Sequence, residues 1–336
     1  QKYDKEHVST FDYEFYRELP AEYGPAMLGY LYNFREIDKN DVAATLMDLI
    51  RRKYISIETG NESLTEKKVN YTLVLHRDID MSKLEPYETN LIHWFFDIVA
   101  NGDTLTLNQL DKFTSVEANA IRYNKANQTW VSSVRECGAK YDFFDNVRAA
   151  MKEGGSIVTL MAILGIIAML LSFNQLGLYP RFVGGILLAG AIALSSYFAT
   201  IQRRSKNGNE DYLRWKAFKK FLEEFSNIKD YPMPGITVWE HYMVYAVEFG
   251  IADLVEKQLR FRYKEIGMED VLNDSPYLRH PGFCYFYASR INRSFANAAQ
   301  TIAQAQAQRA NSSRGGGRFG GGGGHIGGGG GGMRFR

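Results

Sequence analysis

Residues 154–173 read GGSIVTLMAILGIIAMLLSF and residues 182–201 read FVGGILLAGAIALSSYFATI, two uncharged runs of twenty with eight residues between them. As a helix each run would extend roughly 30 Å, about the hydrocarbon thickness of a bilayer. The first contains ten Ile, Leu, Val or Phe residues, enough to favour transfer into lipid by about a few kcal/mol. The second is diluted by Gly184, Gly185 and Gly190. Its Gly185, Ala189 and Ala193 recur at every fourth position, a small-residue stripe along which another helix can approach closely. Ala162, Gly165, Ala168 and Ser172 offer a similar face on the first run. The bland alternative is a helical hairpin buried in a soluble core, but uninterrupted apolar runs of this length are rare there. The expectation is a two-helix transmembrane hairpin over 154–201.

Working outward, Arg148 and Lys152 precede the first run, and Arg203, Arg204 and Lys206 follow the second, while the loop carries only Arg181. Counting Lys and Arg near the ends predicts that both termini lie in the cytoplasm, with these five residues as topology anchors in a multi-pass protein of the plasma membrane. The 40 Lys+Arg nearly balance the 38 Asp+Glu, so net charge selects no class of partner. Cys137 and Cys284 have no CxxC spacing and read as two reduced structural thiols. The 336 residues leave room for soluble domains on either side of the hairpin.

Residues 1–18 read as a linker or arm. Within 19–80, Pro25–Phe34 is a short apolar helix and Asp38 caps a second, with Val42, Leu46, Leu49 and Ile50 at helical spacing. Ile55 and Ile57 then alternate, and after a turn at Gly60-Asn61-Glu62 so do Tyr71, Leu73 and Leu75. Helices followed by a two-stranded hairpin suggest a winged-helix-like α+β module. Residues 81–150 repeat the theme: a helix over Tyr87–Val99, a short strand at Leu105 and Leu107, and a helix over Ser115–Cys137. Residues 207–290 read as a helical cytoplasmic domain, with helices over Asp211–Phe225, Thr237–Phe249 and Ile251–Arg262 and Gly250 at a join. The segment 296–336 is Ala/Gln-rich and then Gly-rich, with fourteen glycines among the eighteen residues from Gly315 to Gly332. Such a tract predicts disorder. The fold class expected is therefore a mostly α membrane protein.

Certain stretches resemble a known family. They are Leu19-Pro20 with Asp41-Val42-Ala43-Ala44-Thr45-Leu46-Met47-Asp48-Leu49-Ile50 and Tyr54-Ile55-Ser56-Ile57; the paired apolar runs; Trp239-Glu240-His241-Tyr242-Met243-Val244-Tyr245-Ala246-Val247-Glu248-Phe249-Gly250; and the Gly-rich end. Together they resemble the bacterial YciQ-like predicted membrane proteins, the domain of unknown function 2207 family, over its C-terminal portion. The resemblance implies a cell-envelope protein whose full-length relatives carry a signal peptide, an extracytoplasmic β-domain and a further span upstream. It supplies no catalytic residues.

Motifs that carry chemistry are absent: there is no G-x-S-x-G, no phosphate loop, no HExxH and no EF-hand loop. Glu240-His241 is the most suggestive pair, but adjacent helical positions point about 100° apart, and aromatic packing explains the stretch better. His93 beside Trp94 reads the same way, and His7, His76, His280 and His325 have no ligand spacing. No catalytic, cofactor-binding or metal-binding residues are assigned. The helix capped by Asp38, the candidate recognition helix of the winged-helix-like module, would show Lys39, Asn40, Thr45, Arg51 and Arg52, but Asp38, Asp41 and Asp48 with them, which opposes phosphate contact. The favoured reading is a non-enzymatic scaffold whose partners are the lipid bilayer and cytoplasmic proteins, with oligomerisation left open. The alternatives are a membrane-tethered nucleic-acid-binding regulator and a subunit of an envelope transport complex. The first is disfavoured by those carboxylates, and the second by spans without ionisable residues.

Overall fold

Asp38 ends the extended segment before helix α2 (Lys39–Arg51). Its Oδ1 accepts the Lys39 N–H at 2.6 Å, while Asp41 reaches back to the Asp38 N–H. This reciprocal cap satisfies amide donors that the first turn leaves free. Every residue from Asp41 to Ile50 is buried. A helix buried all round must be surrounded by other elements. In this computed structural model, which describes residues 6–59, 71–145, 152–171, 179–200, 202–225 and 234–314, those elements come from both ends of the chain. Helix α1 (Pro25–Tyr32) covers one side. The others are closed chiefly by two helices that follow α2 by well over a hundred residues.

Strands β1 (Ile55–Thr59) and β2 (Tyr71–Leu75) pair antiparallel, Ile55 with Leu75 and Ile57 with Leu73. Tyr71, Leu73 and Leu75 point inward, as their alternation predicts. The turn read at 60–62 lies outside the described residues. Helix α3 (Pro86–Ile92) runs directly into a π-helical segment, His93–Ala100, which ends at Asn101 with φ +54. Strand β3 (Thr104–Thr106) follows and pairs with β2, Leu105 opposite Leu73. Helices α4 (Leu107–Thr114) and α5 (Glu117–Gly138) complete this part.

The chain then forms α6 (Lys152–Leu171) and α7 (Tyr179–Thr200), which pack on one another. It returns beside its point of departure: Ser205 N–H donates to Phe143 O at 2.9 Å and Asp145 N–H to Arg203 O at 3.0 Å. Helices α8 (Lys206–Glu224), α9 (Ile236–Glu248) and α10 (Ala252–Glu265) follow, and α11 (Phe283–Arg314) runs back along α5. Gly250, at φ +70, makes the left-handed turn between α9 and α10 that a side chain would resist. The core is one continuous body from Ala26 to Ala298. Helix α9 supplies Trp239, Tyr242 and Tyr245 to an aromatic cluster with Phe225, Phe218 and Trp215, where the Trp239 and Phe225 rings are 4.5 Å apart.

Some expectations are corrected. Among the described residues no helix is long and apolar enough to cross a membrane, so the transmembrane hairpin read over 154–173 and 182–201 is not what the structure shows. Helix α6 opens with Lys152 and Glu153 ahead of the first run, and α7 with Tyr179, Pro180 and Arg181 ahead of the second; Ser172, Phe173 and Ile201 lie outside the described residues. The winged-helix-like reading also gives way. Its supposed second module contributes β3 to the sheet of the first, and the supposed recognition helix is the buried α2, with Asp41, Thr45 and Asp48 inside rather than on the surface. Finally, residues 296–314 of the expected disordered tail are helical and belong to α11, which Arg309 ties to Glu117 at 2.8 Å; residues 315–336 lie outside the described residues.

Candidate functional site

Gly29 brings the α1 backbone so close to α2 and α9 that a Cβ there would overlap Asp41 Oδ1 and lie 2.6 Å from Glu248 Oε1. Two carboxyls, from the first turn of α2 and the last of α9, therefore converge on one buried point. Burial raises the Asp41 pKa to about 7 against the pull of its hydrogen bonds to Glu248 and the Asp38 N–H. Glu248 lies well above the ordinary carboxyl range, first through burial and then through the charge of Asp41. Glu248 accordingly keeps its proton and donates it toward Asp41, because two bare carboxylates at this spacing cannot both be stable.

Two turns along α2, a cleft of about 380 Å³ opens between α2, α3 and α9. Asp48, nearly buried, accepts from Arg51 at 2.9 Å and pairs with Arg52 at 3.1 Å, and Arg52 also engages Glu88. His241 lines the same cleft and tilts against Tyr245, centroids 5.5 Å apart. Burial first, then Arg51, pushes its pKa down to about 4, leaving a neutral imidazole at pH 7. Glu240 is raised by burial and bonds toward Ser275. The adjacent Glu240 and His241 thus serve different faces, as helical geometry requires. The cleft holds matched ion pairs and a neutral ring, an arrangement suited to polar contact. Among the described residues no group of three or more His, Cys, Asp or Glu is placed to hold a metal ion. Sequence alone places Asp41 on an exposed face and gives Glu248 no role, although each is a charge within an apolar helical stripe, and that interruption is the available signal.

The residues singled out from sequence are dispersed. Arg148 lies outside the described residues, and Lys152 opens α6. Arg203 pairs with Asp145, and Lys206 is exposed at the start of α8. Arg204, read as a topology anchor, is 2 % exposed, sandwiched between the rings of Phe34 and Tyr212 at 3.8 and 3.6 Å, and donates to Tyr32 O at 2.8 Å and to Glu6 at 2.7 Å. A lysine cannot reproduce that flat, forked contact. Arg204→Lys is therefore expected to lower stability by about 2 kcal/mol, against under about 0.5 kcal/mol for Lys206→Ala. Equal denaturation midpoints for the two variants would contradict this placement.

The packing of α6 on α7 is offset by one residue from the predicted stripe. Gly185 meets open space and Ala189 and Ala193 are exposed, whereas Gly184 is buried and a Cβ on it would lie 2.7 Å from Gly165 O. Gly165 is buried between half-buried Ala162 and Ala168, as read; Ser172 lies outside the described residues. Large apolar side chains remain on the outer faces, with Leu170 61 %, Phe182 69 % and Ile186 72 % exposed.

The family model for the C-terminal domain of the predicted membrane protein family DUF2207 matches residues 12–259. The chain belongs to this family. No curated protein and no solved structure matches it. The matched region of the DUF2207 domain contains Gly29, Asp41, Asp48, His241 and Glu248, together with both apolar helices. Membership makes the chain a predicted membrane protein of unknown function, in agreement with the resemblance read from its sequence.

Proposed function

We propose that this DUF2207 domain is a non-enzymatic scaffold at the cytoplasmic face of the plasma membrane, where it touches lipid and docks a protein partner. The carrying observation is the row of large apolar side chains on α6 and α7, among them Leu170, Phe182, Ile186 and Ile192, that no other element covers among the described residues. Contiguous apolar surface of this kind marks a contact surface. The rest of the body supports a docking role. Its inward-facing cations are matched by carboxylates, as at Asp48 and Glu256. Its two cysteines are free and buried, which suits a reducing compartment. The burial of α2 weighs against the nucleic-acid reading, since the helix that would enter a groove is enclosed.

The test is flotation of the full chain with phospholipid vesicles, beside a Phe182→Ser/Ile186→Ser/Ile192→Ser variant. The expected result is co-flotation of the unaltered chain and about tenfold less of the variant. Equal flotation of both would end the assignment of lipid contact to this pair. Crosslinking in intact membranes tests the scaffold role, and recovery of no reproducible protein partner would count against it.

A further inference from the structure

The π-helical segment His93–Ala100 is wider than an α-helix, and a groove lies between it and α5. The groove measures about 360 Å³, at the small end of ligand sites. Its floor is apolar: Trp94, Ile98 and Ala126. Its rim carries His93 and, one turn apart on α5, Arg122 and Lys125, with Asn90 and Thr129 beside them, and no carboxylate lines it.

Elsewhere Arg51, Arg52, Arg77, Arg260 and Arg290 each pair with a carboxylate. Among the described residues, neither Arg122 nor Lys125 has a carboxylate within ion-pairing distance, and the Arg122 guanidinium rests only against the Phe113 ring at 5.9 Å. Such a stack leaves the N–H edges open. His93 is held in place: its Nδ1 bonds Asp97 at 2.8 Å, and Asp97 in turn accepts from Arg77 at 2.6 Å. This leaves Nε2, which accepts in the neutral ring and donates to an anion only as imidazolium, for a second contact. Trp94, 1 % exposed, leaves its buried Nε1–H without a partner.

We propose that this groove binds a phosphate monoester of about nucleotide size. The phosphate sits against Arg122, Lys125 and His93, and the organic part lies on Trp94, Ile98 and Ala126. Two cations and several neutral donors suit the many oxygens of a phosphate better than a single carboxylate, and the apolar floor favours an ester over the inorganic ion. The ester has two potential sources, a soluble metabolite or a lipid headgroup.

The experiment titrates the full chain, by calorimetry, with adenosine monophosphate and with monomeric short-chain phosphatidic acid. Arg122→Ser/Lys125→Ser and the single Lys125→Glu test the rim, and Arg135→Ser, exposed on the same helix, is the charge control. Saturable binding of at least one probe is expected, about tenfold weaker in both rim variants and within about twofold of the original in the control. Binding of the nucleotide indicates a soluble ester; binding of the lipid probe alone indicates a headgroup. Absence of saturable binding for both probes overturns the proposal, as does equal weakening by Arg135→Ser. Arg122 and Lys125 are exposed, and the single charge reversal keeps the test decisive should the double variant fold poorly.

Discussion

Gly29→Ala is expected to destabilise the chain by about 3 kcal/mol or more, among the largest effects of any single methyl group here. The added carbon would overlap Asp41 Oδ1 and crowd Glu248. Neither the helix nor the carboxyls can move aside, because Pro25–Leu31 and Asp41–Ile50 are buried throughout. Relief would require separating α1 from α2, which opens the core, or pushing a carboxyl out of its hydrogen bonds. Gly102→Ala is the matched control, since a Cβ there meets nothing within 4 Å. Thermal unfolding should place the Gly29 variant at least roughly 5 °C below the original chain and the Gly102 variant close to it. Similar midpoints for the two alanine variants would refute the close approach of α1 to the carboxyl pair.

The same pair should make stability fall as pH rises. Asp41 and Glu248 hold their protons in the folded chain at pH values where an unfolded carboxyl, titrating near 4, has released them. Between those limits the native state binds more protons than the unfolded one, so stability decreases with increasing pH. The loss should be on the order of 1–3 kcal/mol between pH 5 and pH 8, complete once pH has passed through the folded values, of which Asp41 titrates at about 7. His241 slopes the other way. Its pKa, lowered to about 4, contributes stability above 6.5 that disappears as pH falls toward 4, so the interval from 6.5 to 8 isolates the carboxyls from it. Glu248→Gln keeps a donor toward Asp41 and removes one titration. Its denaturation midpoints over pH 6.5 to 8 should change by less than half as much as those of the original chain. Parallel profiles would show that the pair does not share a proton.

Much of the local structure was legible because it rests on periodicity. The spacing of Val42, Leu46, Leu49 and Ile50 predicted α2, the alternation at Ile55 and at Tyr71–Leu75 predicted the strands, and Gly250 marked the α9–α10 join. Two of the misreadings share a cause. An amphipathic pattern identifies one buried face but does not reveal that the opposite face is buried as well. Asp41, Thr45 and Asp48 therefore read as solvent-facing when α9 and α11, arriving from the far end of the chain, enclose them. In the same way Arg204 read as a topology anchor because Phe34 and Glu6, which enclose it beside Tyr212, come from a distant segment. The Ala/Gln composition after Ala296 suggested disorder, yet alanine is the strongest helix former and α5 supplies a surface to pack on. The π-helical segment had no sequence signature at all.

The enclosure of α2 also dictates an order of events during synthesis. Tyr277 donates its hydroxyl proton to Met47 O, Tyr123 shares a hydrogen bond with Ser294 at 2.6 Å, and Arg290 reaches Leu107 O. Contacts of such separation close slowly, because a long loop must be ordered before they form. While the ribosome is still translating, the emerging amino-terminal half would hold an uncovered α2 and an unfinished sheet, vulnerable to misassociation. Native consolidation must wait until the α11 segment has left the exit tunnel, so a nascent chain halted before residue 283 should bind chaperones and resist compaction.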